Sequence, residues 1–202
     1  MPYERPIRSR YLDPVELVWL ACCKQLGLTI RRHPDVFSMT DGSGMLWFGP
    51  RDTLDEDDSL AQMILHELCH WITNGEASFR ERDWGFPMEP VPDEREYACL
   101  RLQAWVTQRH GLRDPFGPTG MYREYYDALP ADPLQPVDDS DWEARVVDLA
   151  RQAIARSQEP PWVGPLEAAL AATAAIRGVV QPFLDDYATE VEGDGLPSIW
   201  GV

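Results

Sequence analysis

The sequence predicts an α+β fold in which a small antiparallel sheet near the N-terminus precedes a set of packed helices. Three observations predict it. Segments with strand-like alternation, 28–32, 36–40 and 45–48, fall within the first fifty residues around the turn Asp41-Gly42-Ser43-Gly44. From residue 59 onward the apolar spacing is helical, and proline-rich stretches separate the helical runs. One of those runs, 59–73, contains His66-Glu67-Leu68-Cys69-His70, two histidines four apart with a glutamate after the first.

In chain order, Asp13-Pro14 predicts a helix over 14–26, with Asp as N-cap, Pro at the first position and Gly27 as the stop. The three strand candidates follow, the last two as a hairpin. Residues 51–58 form an acidic loop feeding the motif helix. That helix has a broad apolar face of Ala61, Ile64, Leu65, Leu68 and Ile72, and Asn74-Gly75 ends it. A long irregular stretch over 74–92 carries Gly75, Gly85, Pro87, Pro90 and Pro92, and long loops beside a site are often functional. Asp93 caps a helix reaching about residue 110. A proline-rich connection over 113–136 leads to a helix over 140–157 and an alanine-rich helix over 165–187. Residues 1–190 read as one domain and 191–202 as a poorly anchored tail.

A chain of 202 residues with 44% hydrophobic and 26% charged residues suits a single folded domain with a sizeable core. A net charge of −16 argues against direct contact with nucleic acid, which calls for a basic surface. The apolar run 15–23 is too short to span a membrane, and residues 1–6 lack the apolar segment of a signal peptide. The expected location is the cytoplasm, without membrane contact. Four cysteines, Cys22, Cys23, Cys69 and Cys99, show no CxxC spacing and read as buried core residues.

On a helix, residues four apart share a face, so His66 and His70 are placed to hold one divalent metal ion while Glu67 reaches its open side. Two histidines leave a third protein ligand to be found. Glu94 and Glu96, in the first turn of the helix after Asp93, are the candidates, and their spacing puts them on nearly opposite faces. The helical wheel favours Glu94, which shares a face with Ala98, Leu102 and Trp105. Glu96 stands three residues after Asp93, as in a capping box. His33 and His110, at a loop and a helix end, read as solvated or capping side chains.

The residues Leu65-His66-Glu67-Leu68-Cys69-His70-Trp71, Gly75 four residues after Trp71, and Asp83-Trp84-Gly85-Phe86 resemble the bacterial elongation factor P hydroxylase family. The likeness covers about 45–170 loosely and 65–86 specifically. Counting back from Gly111 without gaps, it places the family's later glutamate on Glu96, against the wheel. The chain departs from the family where Pro87-Met88-Glu89-Pro90 replaces an aromatic-Cys-Pro-Asp-Gly stretch, in lacking a Lys-Pro-Gln-Ala run, and over its first 40 and last 30 residues. The resemblance implies a zincin-like site, iron as the metal, elongation factor P as the protein substrate, hydroxylation of a modified lysine, and Asp83 as a group behind the ligands.

The same ligands suit two chemistries. Two histidines and a carboxylate hold iron in non-haem oxygenases and zinc in hydrolases. In a zinc metallopeptidase Glu67 is the general base, strand 45–48 pairs with an extended substrate, and Tyr122, Tyr125 or Tyr126 stabilises the oxyanion. A third possibility, a metal-stabilised binding module without catalysis, requires a fourth protein ligand that the sequence does not display.

Overall fold

The computed structural model describes residues 11–54, 58–87 and 93–184. The expected tail over 191–202, and parts of the loops over 51–58 and 74–92, lie outside the described residues. Among the described residues the architecture is α+β, with six α-helices and one three-stranded sheet.

Helix α1 (Pro14–Gln25) begins as its sequence dictates, the Asp13 carboxylate accepting from the amides of Val15 at 2.8 Å and Glu16 at 3.1 Å. Strands β1 (Thr29–Arg32), β2 (Ser38–Thr40) and β3 (Met45–Phe48) form a sheet of order β1-β3-β2. The hairpin β2–β3 is antiparallel, but β1 pairs parallel to β3, so the sheet is mixed rather than antiparallel. The reason is apolarity. β3 contributes the fully buried Leu46 and Phe48 and takes the centre, leaving the arginine-bearing β1 and the short polar β2 as edges. The central position also occupies both edges of β3, so it cannot pair with a substrate.

The turn before β3 is held by Asp41, whose carboxylate accepts from the amides of Ser43 and Met45. Gly42, at φ 72°, lies so close to the loop after the motif helix that a Cβ there would sit 2.7 Å from the Arg80 carbonyl oxygen.

Helix α2 (Leu60–Asn74) carries the motif through the middle of the molecule, with almost every residue buried. Ser59 caps its start, Gly75 at φ 88° ends it, and Arg156 donates to the Thr73 carbonyl at 2.5 Å. Helix α3 (Glu94–Gln108) packs against both α2 and α5 (Asp141–Ser157), with the short α4 (Arg123–Ala128) alongside. Between α3 and α5 lies a fully buried ion pair, Arg101 with Glu143. Arg101 also donates to the Tyr125 hydroxyl and to the carbonyls of Pro133 and Gln135.

Helix α6 (Val163–Leu184) returns across α1, where the Trp19 indole donates to Thr173 Oγ at 3.0 Å. Its stretch Val163–Phe183 is long and apolar enough to cross a membrane by length and composition, which the sequence reading did not anticipate. Its inner side nevertheless buries Leu166, Ala169 and Leu170 in the core shared with α1 and α2, while Val179 and Phe183 are exposed.

Arg101→Leu should lower unfolding stability by about 3–5 kcal/mol in urea denaturation, because it strands Glu143 as a buried, uncompensated charge. A loss below about 1 kcal/mol would show that the pair does not hold α3 to α5.

Candidate metal centre

The face of α2 that carries His66 and His70 meets the first turn of α3, and the residue waiting there is Glu96. His70 Nε2 lies 3.1 Å from Glu96 Oε2 and 3.2 Å from Oε1, and His66 Nε2 lies 3.4 Å from Oε1. Ligands bound to one zinc or iron ion at about 2.0–2.2 Å in tetrahedral directions stand roughly 3.3–3.6 Å apart. The histidine–glutamate separations are close to that spacing, and the donor atoms of all three side chains lie within 4.8 Å of one another.

The tautomer of His66 supports the fit. The Gln103 amide nitrogen donates to the Phe116 carbonyl at 2.6 Å, so its oxygen is the atom facing His66 Nδ1 at 3.0 Å. Nδ1 must then carry a proton, and Nε2 turns toward the Glu96 carboxylate. Something positive has to lie between that nitrogen and the carboxylate, either a proton or a metal. Burial favours the neutral His66 ring, but Glu96, with Glu67 and Gln103 adding, outweighs it and pushes the ring up to about 9. Glu96 is buried, which alone would raise its carboxyl. The two histidines more than offset this and hold it well below the usual carboxylate range.

Glu94 goes elsewhere. Its carboxylate accepts from Arg145 of α5 at 2.7 Å, on the surface. The wheel argument placed Glu94 correctly with Ala98 but assigned that face to the wrong neighbour: Ala98 packs on Val146 and Ala150 of α5, not on α2. Glu96 shares its face with Cys99 and Gln103, three and seven residues on, and that face meets α2. Asp93 does cap the helix, accepting from the Arg95 amide at 2.9 Å, while the Glu96 carboxylate turns to the histidines. His33 and His110 lie away from the centre: His33 accepts from the Asp35 amide, and His110 faces Glu167 of α6.

Glu67 is held by two donors, Ser38 Oγ of β2 at 2.5 Å and the Trp84 indole at 3.0 Å. Trp84 belongs to a tight turn in which Asp83 (φ 49°) and Trp84 (φ 55°) are both left-handed, a conformation costing about 1–3 kcal/mol for each residue. Several contacts over-determine it. Trp84 is fully buried and stacks on Trp71, with ring centroids 5.5 Å apart. Its carbonyl accepts from Asn74 at 2.6 Å, the Asp83 carboxylate accepts from the Thr40 amide at 3.1 Å, and Arg95 donates to the Gly85 carbonyl at 3.0 Å. Burial raises the Asp83 carboxyl, opposed by the Thr40 amide and Arg82. Next in the chain, Phe86 stacks flat on the His70 ring, centroids 4.2 Å apart.

Ser38, Gln103 and Phe86 received no functional role from sequence reasoning. For Gln103 a signal existed, since it stands seven residues after Glu96 at helical spacing. Ser38 is brought in by sheet register alone. Cys69 and Cys99, read as core residues, are buried side by side in thiol contact. Cys99 also joins the donor atoms of His66, His70 and Glu96, all lying within 4.8 Å of one another. Compared with protein families, curated proteins and solved structures, the chain matches none.

Two outcomes check this centre. Glu96→Gln should lose at least about tenfold in zinc affinity while Glu94→Gln keeps it; the reverse result would restore the wheel assignment. Below about pH 9 a metal must displace the His66 proton. Zinc affinity, measured by chelator competition, should therefore rise as pH is raised toward about 9, by roughly tenfold per pH unit for the His66 proton alone.

Proposed function

We propose that the chain is a cytoplasmic metal-dependent enzyme with a zincin-like centre of His66, His70 and Glu96, related in activity to the elongation factor P hydroxylases. The observation that carries this reading is where the resemblance falls in space. The likeness outside the HExxH motif lies in Trp71 and in Asp83-Trp84-Gly85-Phe86, and these residues surround the centre. Trp84 holds Glu67, Phe86 packs on His70, Trp71 supports Trp84, and Asp83 ties the turn to β2. A generic HExxH helix requires none of them.

The cleft in front of the centre suits a side chain presented by a protein. Its volume is about 420 Å³, with Phe37, Phe86 and Pro87 among its apolar walls and Glu67, His70 and Glu96 at the centre. Apolar walls accept an aliphatic chain, and the carboxylates favour an amine, as in a modified lysine. Bound iron supplies dioxygen activation, and zinc in the same place supplies activation of water. The protein's own part is geometric. Ser38 and Trp84 fix Glu67 at the cleft with a lone pair left on each oxygen, so it can accept a proton from, or orient, whatever enters. Asp83 acts one step back, by holding the turn that aims Trp84.

A zinc peptidase is the second reading, favoured by one observation. Of the three tyrosines considered for an oxyanion, Tyr122 lines the cleft. Tyr125 is engaged by Arg101 and Glu143, and Tyr126 donates to the Arg113 carbonyl.

The deciding experiment is intact-mass analysis of lysyl-modified elongation factor P incubated in air with the iron-loaded protein. The expected result is a gain of one oxygen atom, absent with Glu67→Gln although that variant still takes up metal. No gain beside an active control enzyme, together with cleavage of peptides by the zinc-loaded protein, would overturn the hydroxylase reading in favour of the peptidase.

A further inference from the structure

We propose that Cys99 is a fourth ligand of the metal centre formed by His66, His70 and Glu96, binding on the side away from the cleft. This rests on the metal-dependent reading above and concerns its donor set.

Helix α3 places Cys99 three residues after Glu96, one turn along on the face that meets α2. Its Sγ and the donor atoms of His66, His70 and Glu96 all lie within 4.8 Å of one another. In a tetrahedral zinc site a thiolate sulfur and an imidazole nitrogen stand roughly 3.6 Å apart. Closing the remaining gap of about 1 Å at most needs only side-chain rotation, shared among the four donors. The contact to be given up is slight, since the thiol meets only the His66 carbonyl at 3.7 Å and its neighbour Cys69. Ligation forms one metal–sulfur bond and releases the thiol proton to solvent, so it needs no oxidant.

The position of the sulfur matters as much as its presence. Glu67, His70, Glu96 and Tyr122 line the cleft, whereas Cys99 is fully buried and does not. Sulfur would therefore close the back of the centre, and water or substrate would enter from the cleft as a fifth donor, beside Glu67. Four protein ligands here do not imply the sealed site of a purely structural zinc. A thiolate also softens the donor set from two nitrogens and a carboxylate to one that prefers zinc, cobalt or iron over magnesium or calcium. Cys69 is the competing thiol, but it is not among the converging donor atoms.

The test is the absorption spectrum of the full chain loaded with cobalt(II). The expected result is a near-ultraviolet thiolate-to-cobalt charge-transfer band that persists in Cys69→Ala and vanishes in Cys99→Ala. Visible d–d bands should be kept in both variants. Zinc affinity should fall on the order of 10–100-fold in Cys99→Ala. Visible bands without the charge-transfer band in the unaltered chain would overturn the Cys99 ligand and leave the metal-dependent reading standing. A band that vanishes in Cys69→Ala would likewise overturn it. If Cys99→Ala fails to fold, the unaltered chain and Cys69→Ala still decide the matter, because Cys22 and Cys23 lie on α1. Failure to bind cobalt or zinc at all would overturn both proposals.

Discussion

The contact between α2 and α3 brings two imidazoles within hydrogen-bonding distance of one carboxylate at a largely buried helix interface. Because Gln103 fixes the His66 proton on Nδ1, the Nε2 facing the carboxylate presents a lone pair unless a proton or a metal ion lies between them. Much of the surrounding structure serves to keep this arrangement in register. Gln103 sets the His66 tautomer, Phe86 fixes the plane of the His70 ring, and Arg156 ties the end of α2 to α5. The buried Arg101–Glu143 pair holds α3 to the same helix α5, so both helices that build the centre are anchored to one support.

The turn at 83–85 is where local preference and tertiary packing disagree. Tryptophan gains nothing from a left-handed backbone, and its neighbour Asp83 is left-handed as well. The conformation persists because it seats the indole between Trp71 and Glu67 while Asn74, Thr40 and Arg95 hold the flanking backbone and carboxylate. Stored strain of this kind is concentrated where a side chain must be aimed, and here it is aimed at the glutamate of the motif.

Legibility from sequence divides along the range of the interactions involved. Caps and stops are local: Asp13, Asp93 and Gly75 each act within a few residues, and each lies where the pattern puts it. The strands and the β2–β3 hairpin were legible, but the parallel docking of β1 on β3 was not, because pairing order depends on which strand buries most surface, and β3 took the centre. The choice between Glu94 and Glu96 was not legible either. Both faces of α3 are covered, one by α2 and one by α5, and a helical wheel does not say which neighbour lies where.

By itself, then, the sequence determined an α+β chain with two histidines and a glutamate on one buried helix, since helical periodicity alone sets that geometry. Tertiary structure decided the rest. It brought Glu96 rather than Glu94 to the histidines, Ser38 and Trp84 to Glu67, and Cys99 to the back of the centre. Those contacts join residues separated by 17 to 33 positions in the chain. Pairings at that range depend on how whole elements dock, and no local pattern encodes them.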